Sequence, residues 1–128
     1  MIAVRSFAAR PAVLREIRMY VREQAADAGV PTETTDDLVL AVSEACTNVV
    51  LHSGSSQVHI AFVNDRDCVE IEIRDEGVFN RRIPMPEFEG TQGHGIPLMI
   101  ALMDEVLIQE GTKRRGGTLV RLRKCRDA

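Results

Sequence analysis

Hydrophobic residues in the first half of the chain recur with the spacing of helices. After a short predicted strand at residues 2–7, one amphipathic helix is expected between Pro11 and Gly29 and a second from about Thr32 to His52, since apolar side chains return every three or four positions. The predicted core positions of these helices are Val13, Leu14, Ile17, Val21, Ala25, Leu38, Val42, Ala45 and Val49. The candidate N-caps of the second helix are Thr32, Thr34 and Thr35.

The second half of the chain alternates between apolar and polar positions, which is typical of strands in a sheet with one covered face. The alternating apolar residues are Val58, Ile60, Phe62, Val69, Ile71 and Ile73, in two strands joined by a turn at 64–67. From about residue 78 to residue 95 the pattern stops, and so long a loop is unusual unless it is functional or disordered. A short helix and two strands follow, at residues 96–103, 105–110 and 117–124.

This order of elements, β-α-α-β-β-loop-α-β-β, predicts the fold class. The 128 residues are enough for one hydrophobic core and too few for two domains. Helices gathered on one face of a sheet make a two-layer arrangement. We therefore expect a single α+β domain over residues 1–128, a two-layer α/β sandwich with helices on one face of a mixed, mostly antiparallel sheet.

Composition excludes some classes of partner. The chain is 45% hydrophobic and 27% charged, as in ordinary globular proteins, and its net charge of −3 gives no general attraction to nucleic acid. No apolar run reaches the roughly 18 residues of a membrane helix, and no signal peptide is recognisable. Cys46, Cys68 and Cys125 are odd in number and irregularly spaced, so we expect neither a metal motif nor a disulfide framework, and a reduced cytoplasmic location.

A polar stripe interrupts the apolar second helix. Glu44 and Asn48 lie four residues apart, so their side chains share one face of the helix, one turn from each other. Such a pair is most often an ordinary solvent-exposed pair. Here apolar neighbours such as Val42 and Val49 crowd it, which favours a functional role.

Three further segments carry glycine beside polar residues. Asp75-Glu76-Gly77 ends an apolar strand, where a carboxylate can accept a hydrogen bond from an adenine amine and a glycine lets the backbone approach a base. Gly93-His94-Gly95 precedes a helix, where free N–H groups and the helix dipole favour phosphate. Gly116-Gly117-Thr118 opens the last strand. Taken alone, each segment is also compatible with a simple turn.

The order of these four segments resembles that of GHKL (Bergerat-fold) nucleotide-binding domains. The stretch LAVSEACTNVVLHSG at residues 40–54 closely resembles the corresponding helix of the anti-sigma-factor serine/threonine kinases of the sporulation and general stress responses. The segments SFAARPAVLREIR, IEIRDEG, GHGIPLM and GGTLVRL fit the same family in order and spacing. The resemblance spans nearly the whole chain.

The resemblance implies ATP and Mg²⁺ as ligands and a role for each motif residue. Asn48 is the implied Mg²⁺ ligand, and Glu44 is the implied general base for the attacking hydroxyl. The adenine amine is implied to bind Asp75, beside Gly77 and Thr118. The implied phosphate contacts are Gly93, His94 and Gly95.

The resemblance also implies partners. A member of this family is expected to be a homodimer that sequesters a sigma factor and phosphorylates a serine or threonine of an anti-anti-sigma (STAS-type) protein, and Arg18 in the first helix is a candidate contact for the sigma factor. One departure is Phe79, which stands where the family has a second glycine after Asp75. A nucleotide-binding regulatory module without phosphate transfer, or a switch kinase of a larger signalling assembly, therefore stay open.

Overall fold

The fold is given by a computed structural model in which residues 2–53, 56–65, 67–76, 95–110 and 117–125 are described. These residues form the elements β1 (Ile2–Ala8), α1 (Val13–Asp27), α2 (Thr32–Asn48), β2 (Gln57–Asn64), β3 (Cys68–Asp75), α3 (Gly95–Leu102), β4 (Glu105–Glu110) and β5 (Thr118–Cys125). A π-helical turn, Val49–Ser53, continues α2 directly. The order of elements is the predicted one, and the predicted long loop lies outside the described residues up to its last residue, Gly95.

The strands form one five-stranded sheet in the order β1-β2-β3-β5-β4, and each of its four pairings is antiparallel. The predicted α+β class and the mostly antiparallel sheet are therefore confirmed. The predicted core positions of the helices and of the two central strands are buried, except that Leu14 is half-buried at the margin of the core. The periodicity identified these positions correctly because only one face of each element meets the other layer.

One lysine contacts two helices at one end of the sheet. Lys124 lies near the end of β5, and its Nζ is 3.4 Å from Oδ2 of Asp37 in the first half of α2. The same Nζ donates a hydrogen bond of 2.7 Å to the carbonyl oxygen of Leu102, the last residue of α3. The first half of α2 and the end of α3 therefore lie at the Lys124 end of the sheet.

The face of the sheet that points away from the helices, called the open face below, carries charged side chains in cross-strand pairs. On β5, Nε of Arg121 lies 3.3 Å from Glu72 and Nη1 of Arg123 lies 3.4 Å from Glu70, both on β3. Nε of Arg123 is also 3.7 Å from Glu105 on β4. Partly exposed pairs of this kind add little to stability individually, but opposite charges directly across two strands favour this register over a shifted one.

The start of α2 differs from the prediction. Its N-cap position is Pro31, and no side chain caps the helix. The backbone N–H of Thr35 instead bonds to the carbonyl oxygen of Pro31 at 2.9 Å. The prediction of a threonine N-cap was therefore wrong, because the helix starts at Thr32 itself and places the three threonines inside its first turn.

The cysteines also differ from the prediction. Cys68 and Cys125 form a disulfide across β3 and β5, where the two residues are direct partners in the register. The expectation of no disulfide was wrong because the bonded residues are 57 positions apart, and only the pairing of the two strands brings them together. Cys46 is the free cysteine; it is buried in α2, and burial raises the pKa of its thiol to about 12.

We expect reduction of the Cys68–Cys125 bond to lower the free energy of unfolding by about 2–4 kcal/mol, because a cross-link over a long loop restricts the unfolded chain. Urea unfolding with and without dithiothreitol measures the change. The double variant Cys68→Ala/Cys125→Ala is the control, since its unfolding midpoint must not respond to the reductant. Denatured without reductant, the wild-type chain should present one alkylatable thiol; three would mean that the bond is absent.

Among the described residues, no helix combines the length and the apolar character that a membrane crossing needs.

Candidate functional site

Asp75 is a buried carboxylate at the end of an otherwise apolar strand. It is 4% exposed, and its side chain follows those of Ile71 and Ile73 on the helix-facing side of β3. The backbone N–H of Thr118 donates a hydrogen bond of 3.2 Å to Oδ1 of Asp75. An ionised carboxylate accepts about four hydrogen bonds, so this group has the capacity to receive a ligand donor as well. Two residues predicted to surround a base, Asp75 and Thr118, are therefore in direct contact.

Gly117 makes that contact possible. Its φ is +103°, a conformation that residues with a side chain rarely adopt. A Cβ atom at this position would overlap the carbonyl oxygen of Asp75. The close approach of the two backbones aligns the Thr118 N–H with the carboxylate. The glycine pair was recognised as a motif segment in the sequence, but the close approach of Gly117 to Asp75 could not be predicted from it.

Glu44 and Asn48 lie on the last turns of α2, and both are half-buried. The regular α-helical hydrogen bonding of α2 ends at this point. The hydroxyl of Thr47 donates a 2.7 Å hydrogen bond to the carbonyl oxygen of Ser43, and the π-helical turn begins at Val49. Side chains that bond back to the preceding turn tend to bend helices, and π-helical turns are frequent at functional sites. The two predicted polar residues therefore share one face next to a local irregularity.

The Asp37–Lys124 contact is a reference point for the positions of the candidate residues along α2 and β5. Starting from the Asp37–Lys124 contact, Asn48 lies about 16 Å farther along α2, because a helix rises about 1.5 Å per residue. From the same contact, Thr118 lies about 20 Å back along β5, at about 3.3 Å per residue. Thr118 and Asp75 therefore lie together at the end of the sheet away from Lys124. The approach of Asn48 to this pair stays a prediction.

The third helix is located by a contact at its carboxyl end. The carboxyl end of α3 is at Lys124, and the eight residues of the helix extend about 10 Å from there to Gly95. The amino end of a helix presents unpaired N–H groups and a partial positive charge, which suit phosphate. Gly95 is the first residue of α3, and its phosphate role stays a prediction, whereas Gly77, Gly93 and His94, with the departure at Phe79, lie outside the described residues.

Arg18 is partly buried between α1 and α2 rather than extended into solvent. Its Nη1 lies 3.5 Å from Oγ of Ser43, which is next to Glu44 in α2. This contact connects the first helix to the last turns of α2. The partner role predicted for Arg18 stays a prediction.

The chemistry of the predicted site residues suits an adenosine triphosphate. A buried carboxylate beside a threonine matches an adenine amine, a helix amino terminus matches phosphate, and an amide and a carboxylate on one helix face match a metal ion and a hydroxyl. Within the described part of the chain, no three His, Cys, Asp or Glu side chains are clustered to bind a metal. A metal ion here would depend on Asn48 and on oxygens of the nucleotide.

Comparison with known proteins identifies the class. The family model described as "Histidine kinase-like ATPase domain" matches residues 7–124. The serine-protein kinase RsbW of Bacillus licheniformis is 32% identical over 117 residues, covering 79% of this chain and 73% of its own length. The anti-sigma F factor of Geobacillus stearothermophilus is 33% identical over 108 residues and covers 72% of each chain. The chain belongs to the histidine kinase-like ATPase family and, within it, to the anti-sigma-factor serine kinases.

Solved structures support the fold independently. The RsbU and RsbW domains of Rv1364c from Mycobacterium tuberculosis superimpose with a TM-score of 0.77 at 23% identity over all of this chain, which spans 34% of that longer chain. The SiaB-SiaC complex of Pseudomonas aeruginosa gives a TM-score of 0.65 at 8% identity, with 97% and 88% of the two chains covered. By class the protein is an ATP-using serine/threonine kinase.

Proposed function

We propose that this chain is an anti-sigma factor that binds MgATP between α2, β3, the amino end of α3 and β5. It sequesters a sigma factor and phosphorylates a serine or threonine of an anti-anti-sigma (STAS-type) protein. The observation that carries the proposal is the buried Asp75 carboxylate at the end of β3, held by the Thr118 N–H. The family membership supports the choice of reaction.

Each side chain has one task in the proposed site. Asp75 accepts the exocyclic amine of adenine, and Thr118 lies beside the ring. Asn48 offers its amide oxygen to Mg²⁺, which needs few protein ligands when phosphate oxygens and water complete its shell. Bound Mg²⁺ supplies charge neutralisation for the transferred phosphate. The amino end of α3 binds phosphate oxygens through backbone N–H groups that include those of Gly93, His94 and Gly95, and Gly77 lies beside the base.

Glu44 acts on the protein substrate in this proposal. A serine hydroxyl is a weak nucleophile at neutral pH, so a positioned carboxylate that takes its proton speeds the attack. Glu44 lies one helical turn before Asn48, so the base and the metal ligand face the same space. The new phosphate brings close to two negative charges to the antagonist. This charge promotes release of the antagonist and leaves the kinase free to hold its sigma factor.

The partners follow from the class. The relatives are named for a serine kinase activity and for an anti-sigma activity, and the proposed sigma-factor contact lies at Arg18 on α1. The active unit is proposed to be a homodimer in the cytoplasm, where sigma factors act. In that compartment cytosolic thiols oppose the Cys68–Cys125 bond.

A phosphate-transfer assay tests the proposal. Labelled ATP, Mg²⁺ and a candidate antagonist are incubated with the wild-type chain, with Asn48→Ala and with Asp75→Asn, and nucleotide affinity is measured beside transfer. We expect Asn48→Ala to lose Mg²⁺-dependent affinity and Asp75→Asn to lose preference for adenine over guanine, each by roughly tenfold or more, as expected for hydrogen bonds to charged groups. Wild-type affinity in both variants would remove the proposed site.

The second candidate is a nucleotide-binding module that controls a partner without phosphate transfer. Phe79, in place of the family's second glycine, is the observation that favours it. The same assay separates the two functions. Nucleotide binding by the wild type, without transfer to any serine-bearing antagonist, would select the module.

A further inference from the structure

Three polar side chains from separate strands meet on the open face, directly behind the candidate site. Ser6 on β1 and His59 on β2 are direct partners in the register, and Oγ of Ser6 lies 2.6 Å from Nδ1 of His59. Nε2 of His59 lies 3.1 Å from Oε2 of Glu76, the residue that follows β3. This line of contacts is called the Ser6–His59–Glu76 relay below. It connects the edge strand to the segment Asp75-Glu76-Gly77.

Glu76 is the neighbour of Asp75 in the chain, so a contact that holds Glu76 also affects the position of Asp75. Successive side chains of an extended strand point to opposite faces, so Asp75 points toward the helices and Glu76 toward the open face. The Glu76 side chain is 65% exposed, whereas that of His59 is 21% exposed. An exposed carboxylate next to a base-binding residue needs an anchor to fix the intervening backbone. The imidazole of His59 provides this anchor on the open face, the side of the sheet opposite to the Asp75 side chain.

The ionised Glu76 carboxylate only accepts hydrogen bonds, so it favours the His59 tautomer that carries a hydrogen on Nε2. When the Ser6 hydroxyl donates to Nδ1, the neutral ring carries its hydrogen on Nε2, which is the atom nearest the carboxylate. Nε2 is buried from solvent, and among the described residues no group has hydrogen-bond alignment with it. The 3.1 Å separation is therefore a charge-assisted contact with imperfect alignment, and Glu76 is the acceptor that a small shift brings into line.

We propose that His59 is a positioning residue for the nucleotide site. It holds Glu76 and thereby fixes the backbone that carries Asp75, and Ser6 orients the imidazole through its contact with Nδ1. The inference rests on the proposed nucleotide-binding function for its effect on affinity. The effect of His59 on the hydrogen bond from Thr118 to Asp75 does not depend on a bound nucleotide.

A double-mutant cycle in nucleotide affinity tests the relay. We expect His59→Phe and Glu76→Ala each to weaken MgATP binding about threefold to thirtyfold, and the double variant to be no weaker than either single variant, because both remove the same contact. His59→Gln restores most of the affinity, since its amide can donate to Glu76. Glu72→Gln is the control on the same face, because Glu72 pairs with Arg121 instead. Additive losses, or unchanged affinity in His59→Phe, overturn the proposal.

Amide hydrogen exchange of the nucleotide-free chain separates this proposal from the proposed function. In His59→Phe the Thr118 amide should exchange at least threefold faster, while the Leu122 amide in the same strand keeps its rate. His59→Gln should return the Thr118 rate toward that of the wild type. If the Thr118 rate is unchanged in His59→Phe, the relay does not position Asp75. If that rate responds but the wild type binds no MgATP, the relay stands and the nucleotide assignment fails.

Discussion

Replacing Glu44 by glutamine should lower phosphate transfer to the antagonist by about 10²–10⁴-fold, the usual contribution of a general base. The substitution keeps the shape of the side chain and removes only its ability to take a proton. Because Asn48 and Asp75 are untouched, MgATP affinity should stay within about twofold of the wild type. Single-turnover transfer with excess enzyme and a separate binding titration measure the two quantities independently.

Glu33→Gln is the matched control for this experiment. Glu33 lies in the first turn of the same helix and is exposed. Its replacement changes the charge of α2 equally and leaves the candidate site intact, so transfer should not change. If Glu44→Gln transfers phosphate at the wild-type rate, Glu44 is not the base. If it loses MgATP affinity in parallel, the residue binds nucleotide rather than the hydroxyl.

Replacing Gly117 by alanine should damage both stability and nucleotide binding. The residue has φ of +103°, and an added Cβ would overlap the Asp75 carbonyl oxygen, so the backbone must move. We expect the free energy of unfolding to fall by about 2–3 kcal/mol from the unfavourable backbone angle and the displaced contact. MgATP affinity should fall at least tenfold, because the Thr118 N–H no longer aligns with Asp75. Urea unfolding and a nucleotide titration measure these changes.

Gly29→Ala provides the comparison, since the two glycines share a positive φ and differ in their surroundings. Gly29 has φ of +74° and no neighbouring atom within 4 Å of an added Cβ. Its replacement should cost about 1 kcal/mol of stability and leave MgATP affinity unchanged. Equal effects of the two substitutions would show that the contact with Asp75 has no part in the site.

The sequence predicted the parts of the fold that depend on periodicity. Alternation in β2 and β3 and the three-to-four spacing in α1 and α2 identified the buried faces, because each of these elements packs on one side only. The resemblance placed Asp75 and Thr118 each beside the adenine, and the structure shows these two residues in contact. The site roles of these residues stay predictions.

Features that depend on strand register could not be predicted from the sequence. Cys68 and Cys125 meet because β3 and β5 are adjacent, although β5 follows β3 only after α3 and β4. The same is true of Ser6, His59 and Glu76, which come from three different strands or strand ends. Sequence spacing carries no information about such pairs until the sheet order is known. The backbone conformation of Gly117 could not be predicted for a related reason. It depends on the carbonyl oxygen of Asp75, which is far away in the chain.

The most direct test of the account is a crystal structure of the chain with Mg²⁺ and a non-hydrolysable ATP analogue. The account predicts that the adenine amine lies about 2.7–3.2 Å from the Asp75 carboxylate, a hydrogen-bond distance. The same structure should show the Asn48 amide oxygen on the metal and Glu44 facing the terminal phosphate. A nucleotide bound at another end of the sheet, with Asp75 contacting only Thr118, would contradict the account.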